Sequence, residues 1–363
     1  MFKRLIVLFC IAVSVLGFRT AVTGEPQAPR NIILFIGDGM GVAHITAAKI
    51  VSGTLNLERF TVVGLLTTHA HDDLITDSAA SSTAMATGVK TYNGAISVSP
   101  DGKPLKTVLE YAEELGMSTG LVVTCSVTHA TPAAFAAHID NRQKENEIAE
   151  QIVASGVDVL FGGGWAHFVP QGTTGSRRRD DTDLLTRLAA EMKIARSPEE
   201  FRDLGDVPRA AALLARRHPP VAAKREISLA ELTEKAIRIL SKNENGFFLL
   251  VEGSQIDWVG HDHDSDEIIA EMIDFDGAIE KGLDFAENDG TTLVIVTSDH
   301  ETGGYAVHGG SMSNGEVTVN GFTTGGHTAA MVPVFAYGPG AGTFGGIHDN
   351  TYIGATMIAC IRR

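Results

Sequence analysis

Five short apolar runs constrain this chain more than any other feature: IILFI at 32–36, LVVT at 121–124, FFLLV at 247–251, LVIVT at 293–297 and VFAY at 334–337. Each has strand length, and none alternates with polar residues as a strand with one wet face would. Helical patterns separate several of them. One covers 106–115. Another covers 229–240, where Ser228 and Glu231 have the spacing of a capping box. A third covers 266–285, with Ile269, Met272, Ile273, Ile279 and Leu283 at helical spacing. Doubly buried strands alternating with helices predict an α/β fold, a three-layer α/β/α sandwich around a largely parallel sheet. Residues 165–226 break this rhythm. They hold the basic run SRRRDD and the Pro-containing RRHPPVAAKRE, and read as an inserted surface subdomain without a core of its own. The basic run reads as a solvated loop.

The chain has 363 residues, of which 44% are apolar, enough for a sizeable core. Its formal net charge of −15 disfavours nonspecific binding to nucleic acid or to an anionic membrane. An anionic substrate stays open, because a bound cation inverts the local field. At the N-terminus Lys3 and Arg4 precede an apolar run at 5–18, too short for a membrane span. Residues 1–28 read as a cleaved export signal and 29–363 as the mature domain, periplasmic or secreted, with no stable membrane insertion. Of three cysteines Cys10 lies in the signal; Cys125 and Cys360 leave room for one bridge but no disulfide framework.

Polar clusters follow four of the strands directly. GDGMG, with Asp38, follows the first. CSVTHATPAAFAAHIDNR, with His129, Thr131 and Arg142, follows the second. EGSQIDWVGHDHD, with Glu252, Asp257, Trp258 and His261, follows the third. SDHETGG, with Asp299 and His300, follows the fourth, and His327 stands just before the last strand. Ligands of open α/β sheets bind at the carboxyl ends of the strands, so these groups can converge on one pocket. Singly they are weak signals. GDGMG lacks the third small residue of a dinucleotide loop, since Val42 stands there. Asp257 and His261, at i and i+4, share a helix face whether or not they hold a metal. Together the acids and imidazoles suit zinc, and Thr131 and Glu252 add hard oxygens that suit magnesium. A serine beside such a site can be ionised by a metal without a histidine base. TDSAASSTAMATG at 76–88 supplies one in Ser78, opening a stretch of small residues.

Six stretches carry a family resemblance: NIILFIGDGMG, TDSAASSTAMATGVKTYNGAI, HATPAAFAAHIDNR, FFLLVEGSQIDWVGH, VIVTSDHETGG and GGHTAAMVPVFAYGPG. In this order they resemble the alkaline phosphatases. The resemblance implies hydrolysis of phosphate monoesters of small molecules through a phosphoserine, with two zinc ions and one magnesium per chain, and a homodimer. It makes Ser78 the nucleophile. It gives Asp257, His261 and His327 to the first zinc, and Asp38, Asp299 and His300 to the second, which also contacts Ser78. Asp38 would bridge to magnesium held by Thr131 and Glu252. Arg142 would grip phosphate, as its planar fork suits two oxygens.

Two positions depart from the best-studied bacterial pattern: His129 replaces an Asp and Trp258 a Lys, both beside the substrate. His129 puts the identity of the third metal in question. The short segment between His300 and His327 leaves no room for the large crown domain of the animal enzymes. Other hydrolases of the superfamily are the rival reading. A sulfatase would need x-Pro-x-Arg after the nucleophile, where Ser78 is followed by Ala79, Ala80, Ser81 and Ser82. Phosphodiesterases of this fold usually carry Thr and lack the arginine. A noncatalytic metal- or phosphate-binding protein would have lost Ser78 or Arg142. Lys90 reads as solvated, and His263 as lying off the ligand face of its helix.

Overall fold

The computed structural model describes residues 28–362, so the segment read as an export signal lies, but for its last residue, outside the described residues. Eight strands of the main sheet come first in the chain: β1 (Asn31–Gly37), β2 (Val62–Thr67), β3 (Ser118–Ser126), β4 (Val159–Gly163), β5 (Lys193–Ala195), β6 (Ala210–Leu213), β7 (Phe247–Gly253) and β8 (Thr292–Thr297). Four short strands follow, β9 (Glu301–Thr302), β10 (Ala306–Ser311), β11 (Glu316–Gly321) and β12 (His327–Thr328). Then β13 (Val332–Tyr337) and β14 (Gly346–Asp349) rejoin the main sheet.

The ten-stranded order is β14-β2-β13-β8-β1-β7-β3-β4-β6-β5. All pairings are parallel except those of β13, which runs antiparallel to both β8 and β2. The five apolar runs of the sequence all lie within strands of this sheet. Their alternate residues face opposite layers: Ile32, Leu34 and Ile36 join one core, Ile33 and Phe35 the other. Helices cover both faces, which makes the three-layer α/β/α sandwich. The helix at Leu229–Leu240 begins at Ser228 with its capping box to Glu231, and the longest helix runs Ser265–Asp289. No helix among the described residues is long and apolar enough to cross a membrane.

Residues 165–226 are built onto the sheet and are not merely a surface insert. They supply β5 and β6, which extend it in parallel beyond β4. Leu184, Leu188 and Leu213 join one core cluster, and Phe201 and Leu204 the other. No disulfide joins Cys125 to Cys360. Lys90 is not solvated: it is half-buried, donates to His69 O and Asn350 Oδ1, each at 2.6 Å, and pairs with Asp349 at 3.1 Å.

Topology places the site. β8, β1, β7 and β3 are parallel neighbours, so the residues after them form one row along the sheet's carboxyl edge. β13 runs the other way, so His327, before its start, reaches the same edge. β2 leads into Ser78 from that edge as well.

Candidate active site

Ser78 opens the helix Ser78–Thr87, in which every residue is buried. Small side chains are what let it sit so deep. The helix Thr351–Ile361 crosses it at Gly354, where a Cβ would come 2.5 Å from Gly88 N and 2.8 Å from Met85 O. Asp77 caps the Ser78 helix, its Oδ1 accepting from Ala80 N at 2.9 Å. Ser81, one turn on, donates to Asp299 O at 2.7 Å and accepts from Asn350, which also accepts from Lys90. Ser81, one small residue among many in the sequence, is thus a hydrogen-bonded support of a strand-end acid.

Ser78 Oγ faces His300 Nε2 at 3.5 Å. The same nitrogen lies 3.2 Å from Asp299 Oδ2 and 3.6 Å from Asp38 Oδ1. Asp38, Asp299 and His300 are fully buried and form one group with ligand geometry. Asp257, His261 and His327 form a second. Asp257 and His261 share a face of the helix Gln255–His261, and Asp257 Oδ1 lies 3.3 Å from His261 Nε2 and 3.5 Å from His327 Nε2. His261 Nδ1 donates to Gly325 O and His327 Nδ1 to Thr76 O, each at 2.8 Å. Those bonds put the proton on Nδ1 and turn the Nε2 lone pairs into the site, the usual arrangement of a metal-ligating histidine. His263 is no ligand. Its backbone is left-handed (φ 58°), its ring stacks on Phe322, and it bonds Thr324 O at 2.8 Å, so it steadies the loop that carries His327.

A third group joins Cys125, His129 and Glu252. Cys125 is the member that sequence reasoning missed. It stands directly after the LVVT run and four residues before His129, a spacing that means little until β3 and β7 are neighbours. Its Sγ lies 3.5 Å from Glu252 Oε2. Thr131 Oγ1, Glu252 Oε1 and His129 Nδ1 are buried without a hydrogen-bond partner, as are both oxygens of Asp38 and Oδ2 of Asp299.

Orphaned acceptors at this depth are costly unless something positive meets them. The electrostatics say the same. Burial, then the charges of Asp299, Asp257 and Glu252, push the Asp38 carboxyl well up. Burial pushes Glu252 up to about 7. Burial works against Asp257 too, but His261 and His327 hold it well below the usual carboxylate range. His261 in turn is raised to about 9 by its bond to Asp257. In metal-free protein, protons do what cations would otherwise do, so the donor set fits divalent metals.

Arg142 borders these groups. Its Nη1 donates to Asp77 Oδ2 at 3.0 Å and its Nη2 lies 3.3 Å from His129 Nε2. Burial, then Arg142, drives His129 down to about 3, so its ring is neutral near pH 7. Trp258 is half-buried and sets its ring edge-on to His129 at 5.7 Å and to His218 at 4.6 Å. Every residue singled out from the sequence as a site residue therefore lies along this one edge.

The family model for alkaline phosphatase matches residues 29–207 and 215–321. Alkaline phosphatase 3 of Bacillus subtilis is 34% identical, covering 93% of this chain and 90% of its own length. Alkaline phosphatase 4 of the same organism is 40% identical over 77% of this chain, which spans 62% of that relative. The solved alkaline phosphatase of the Antarctic bacterium TAB5 superposes with a TM-score of 0.85 at 39% identity, covering 93% of this chain and 99% of that one. With the row of strand-end acids and imidazoles already in view, these likenesses make the chain a member of the alkaline phosphatase family, with the activity of an alkaline phosphatase.

Proposed function

We propose that the chain is an exported, metal-dependent phosphomonoesterase of phosphorylated small molecules that works through a phosphoserine at Ser78. The observation that carries this reading is Ser78 Oγ at 3.5 Å from His300 Nε2, at a helix N-terminus, beside buried acids that lack partners. Asp257, His261 and His327 would hold one zinc, and Asp38, Asp299 and His300 the other. Thr131 and Glu252, with Asp38, would hold a magnesium, with His129 and Cys125 beside it. Bound there, the cations supply positive charge that favours ionised oxygens and neutralises the phosphoryl group.

The chain's own groups do the rest. Ser78 Oγ, after losing its proton, attacks phosphorus in line. The new O–P bond forms as the ester P–O bond breaks and the alcohol departs. Water then takes the phosphoryl group from Ser78, leaving free serine and inorganic phosphate. The Arg142 fork binds two non-bridging oxygens, and Asp77 fixes its plane. The N–H groups opening the Ser78 helix favour negative charge at the same place. The apolar run at 5–18 supports export to the periplasm or beyond. The test is to quench the enzyme at acid pH on a labelled monoester and map the phosphate by peptide sequencing. Label on Ser78 is expected; label on another residue, or none under conditions of turnover, overturns the covalent reading.

A further inference from the structure

A cavity of about 220 Å³ opens beside the candidate active site, lined by His129, Arg142, Gln143, Glu145, Arg217 and His218. It shares His129 and Arg142 with that site. The remaining wall comes from the turn after Arg142 and from the RRHPP stretch of residues 165–226. The structure gives that stretch a fixed seat. A Cβ on Gly163 would lie 2.2 Å from Arg217 O, so the end of β4 packs directly on this backbone. Gly164 N donates to Ala215 O at 2.9 Å and Ala166 N to Arg216 O at 3.1 Å. Ser126 N, at the end of β3, donates to His218 Nδ1 at 3.1 Å.

Those bonds settle what the wall can offer. His218 accepts at Nδ1, so its proton sits on Nε2, a donor. The one acid of the wall is engaged elsewhere: Glu145 Oε2 accepts from Thr128 Oγ1 at 2.7 Å and pairs with His167 Nε2 at 3.2 Å. In a chain of net charge −15, Arg59, Arg142, Arg178, Arg209 and Arg225 all find carboxylates. Among the described residues, no hydrogen-bond or ion-pair partner holds the Arg217 guanidinium or the Gln143 side-chain amide. The cavity is smaller than the roughly 300–1,000 Å³ of pockets that take whole ligands. It has room for one substituent of a substrate already held by Arg142.

We propose that this cavity is a second anion subsite, in which Arg217, His218 Nε2–H and Gln143 select phosphomonoesters whose alcohol carries a second phosphoryl or carboxylate group. The inference rests on the reading of Ser78 and Arg142 as the place of reaction. An anion here gains charge-assisted bonds from a guanidinium that gives up no other partner.

The test compares kcat/KM of metal-loaded enzyme on propyl phosphate, 3-(phosphonooxy)propanoate and propane-1,3-diyl bisphosphate, at low salt. Each charge-assisted bond is worth enough to expect about a tenfold preference for the doubly anionic substrates, mostly through KM. Arg217→Ala should abolish that preference and shift propyl phosphate by less than about twofold. Arg217→Lys should keep part of it. The two doubly anionic substrates separate a phosphoryl-specific subsite from one that accepts any anion. Binding of propane-1,3-diyl bisphosphonate against propylphosphonate, measured by calorimetry in wild type and Arg217→Ala, needs no turnover. Arg217-dependent preference in binding without hydrolysis would keep the subsite and sink the catalytic reading. Equal affinity and equal kcat/KM for singly and doubly anionic compounds, or a preference that survives Arg217→Ala, would overturn the subsite.

Discussion

Asp77 and Arg142 form a 3.0 Å ion pair that ties the serine helix to the arginine proposed to bind phosphate. One oxygen of Asp77 caps the helix that Ser78 opens, and the other holds the guanidinium and accepts from Gly94 N. One carboxylate therefore registers two groups that come from distant parts of the chain. Asp77→Asn keeps the shape of the cap but weakens the grip on Arg142. It should raise KM and the inhibition constant of inorganic phosphate, with a smaller effect on kcat. Arg142→Ala should do the same more strongly, by about 10- to 100-fold in KM, the scale of a lost bidentate charge-assisted contact. Steady-state kinetics with phosphate as inhibitor checks both, and unchanged phosphate affinity in the pair would remove this role.

Ser78→Ala should fold normally, since Ser78 Oγ supports nothing but the site. Its rate should fall by on the order of 10³-fold or more, the scale of nucleophile removal in a hydrolase, with residual hydrolysis by water. Melting temperature and single-turnover rate together check this. A fall in both would make Ser78 structural.

Metal-free protein should lose stability between about pH 7 and 9. His261 is raised from 6.5 to about 9, and Asp38 is raised well above its ordinary value. Both therefore bind protons more tightly folded than unfolded. Their contribution is complete below the unfolded pKa and is lost as pH rises through the folded one. His44, His129 and His218 shift the other way, to about 4, about 3 and about 4, so their part of the curve ends near 6.5 and leaves this window clear. Metal-loaded protein has already given up the protons on these ligands and should show a flatter curve. Thermal melts of chelated and reloaded protein at pH 7 and 9 decide it. A metal-free protein equally stable at both would count against the buried ligand set.

The third group should discriminate poorly between metals. Thr131 and Glu252 offer hard oxygens, but His129 Nδ1 and Cys125 Sγ are softer and favour zinc. Protein refilled with zinc alone should be partly active, and added magnesium should restore the rest slowly. His129→Asp and Cys125→Ser should each lower the magnesium needed and reduce the zinc retained after dialysis, read by elemental analysis. Retention and magnesium titrations identical to wild type in both variants would exclude these side chains from the site.

Gly354→Ala should separate the two helices that meet at Gly88. A methyl group 2.5 Å from Gly88 N forces backbone to move, at a cost of about 1–3 kcal/mol. Because the displaced helix carries Ser78, kcat should fall along with the melting temperature. Full activity at unchanged stability would show that the contact relaxes freely.

Much of the fold was legible in the sequence because its central strands are buried on both faces, and burial leaves only apolar residues. Three of the strands that were not legible escaped for local reasons. β2 carries Gly64 in mid-strand, which reads as a turn. The glycine is there because Phe344 O and Gly346 O would lie 2.4 and 2.7 Å from a Cβ. β6 is Ala-Ala-Ala-Leu in a run whose propensity is helical, and only its neighbours β4 and β5 make it a strand. β14 is Gly-Ile-His-Asp on the sheet's edge, with no apolar signature at all.

The acids and imidazoles of the candidate site stood out because buried charge at the end of an apolar strand has no structural reason to be there. Cys125, Lys90 and Arg217 did not. A cysteine or a basic residue is ordinary in composition, and each takes its meaning from a partner more than a hundred residues away, or from having none.

The antiparallel course of β13 has a consequence for when this enzyme can work. Among the described residues β2 pairs only with β13 and β14, which come after every other strand of the sheet in the chain. Until they arrive, the strand that leads to Ser78 has no place in the sheet, and Gly354 is not there to receive the serine helix. His327 arrives just ahead of β13. A chain interrupted between His300 and His327 holds Asp38, Asp257, His261, Asp299 and His300 yet has no anchored serine. The anchoring of the serine therefore comes late in synthesis and waits on the docking of β13 and β14.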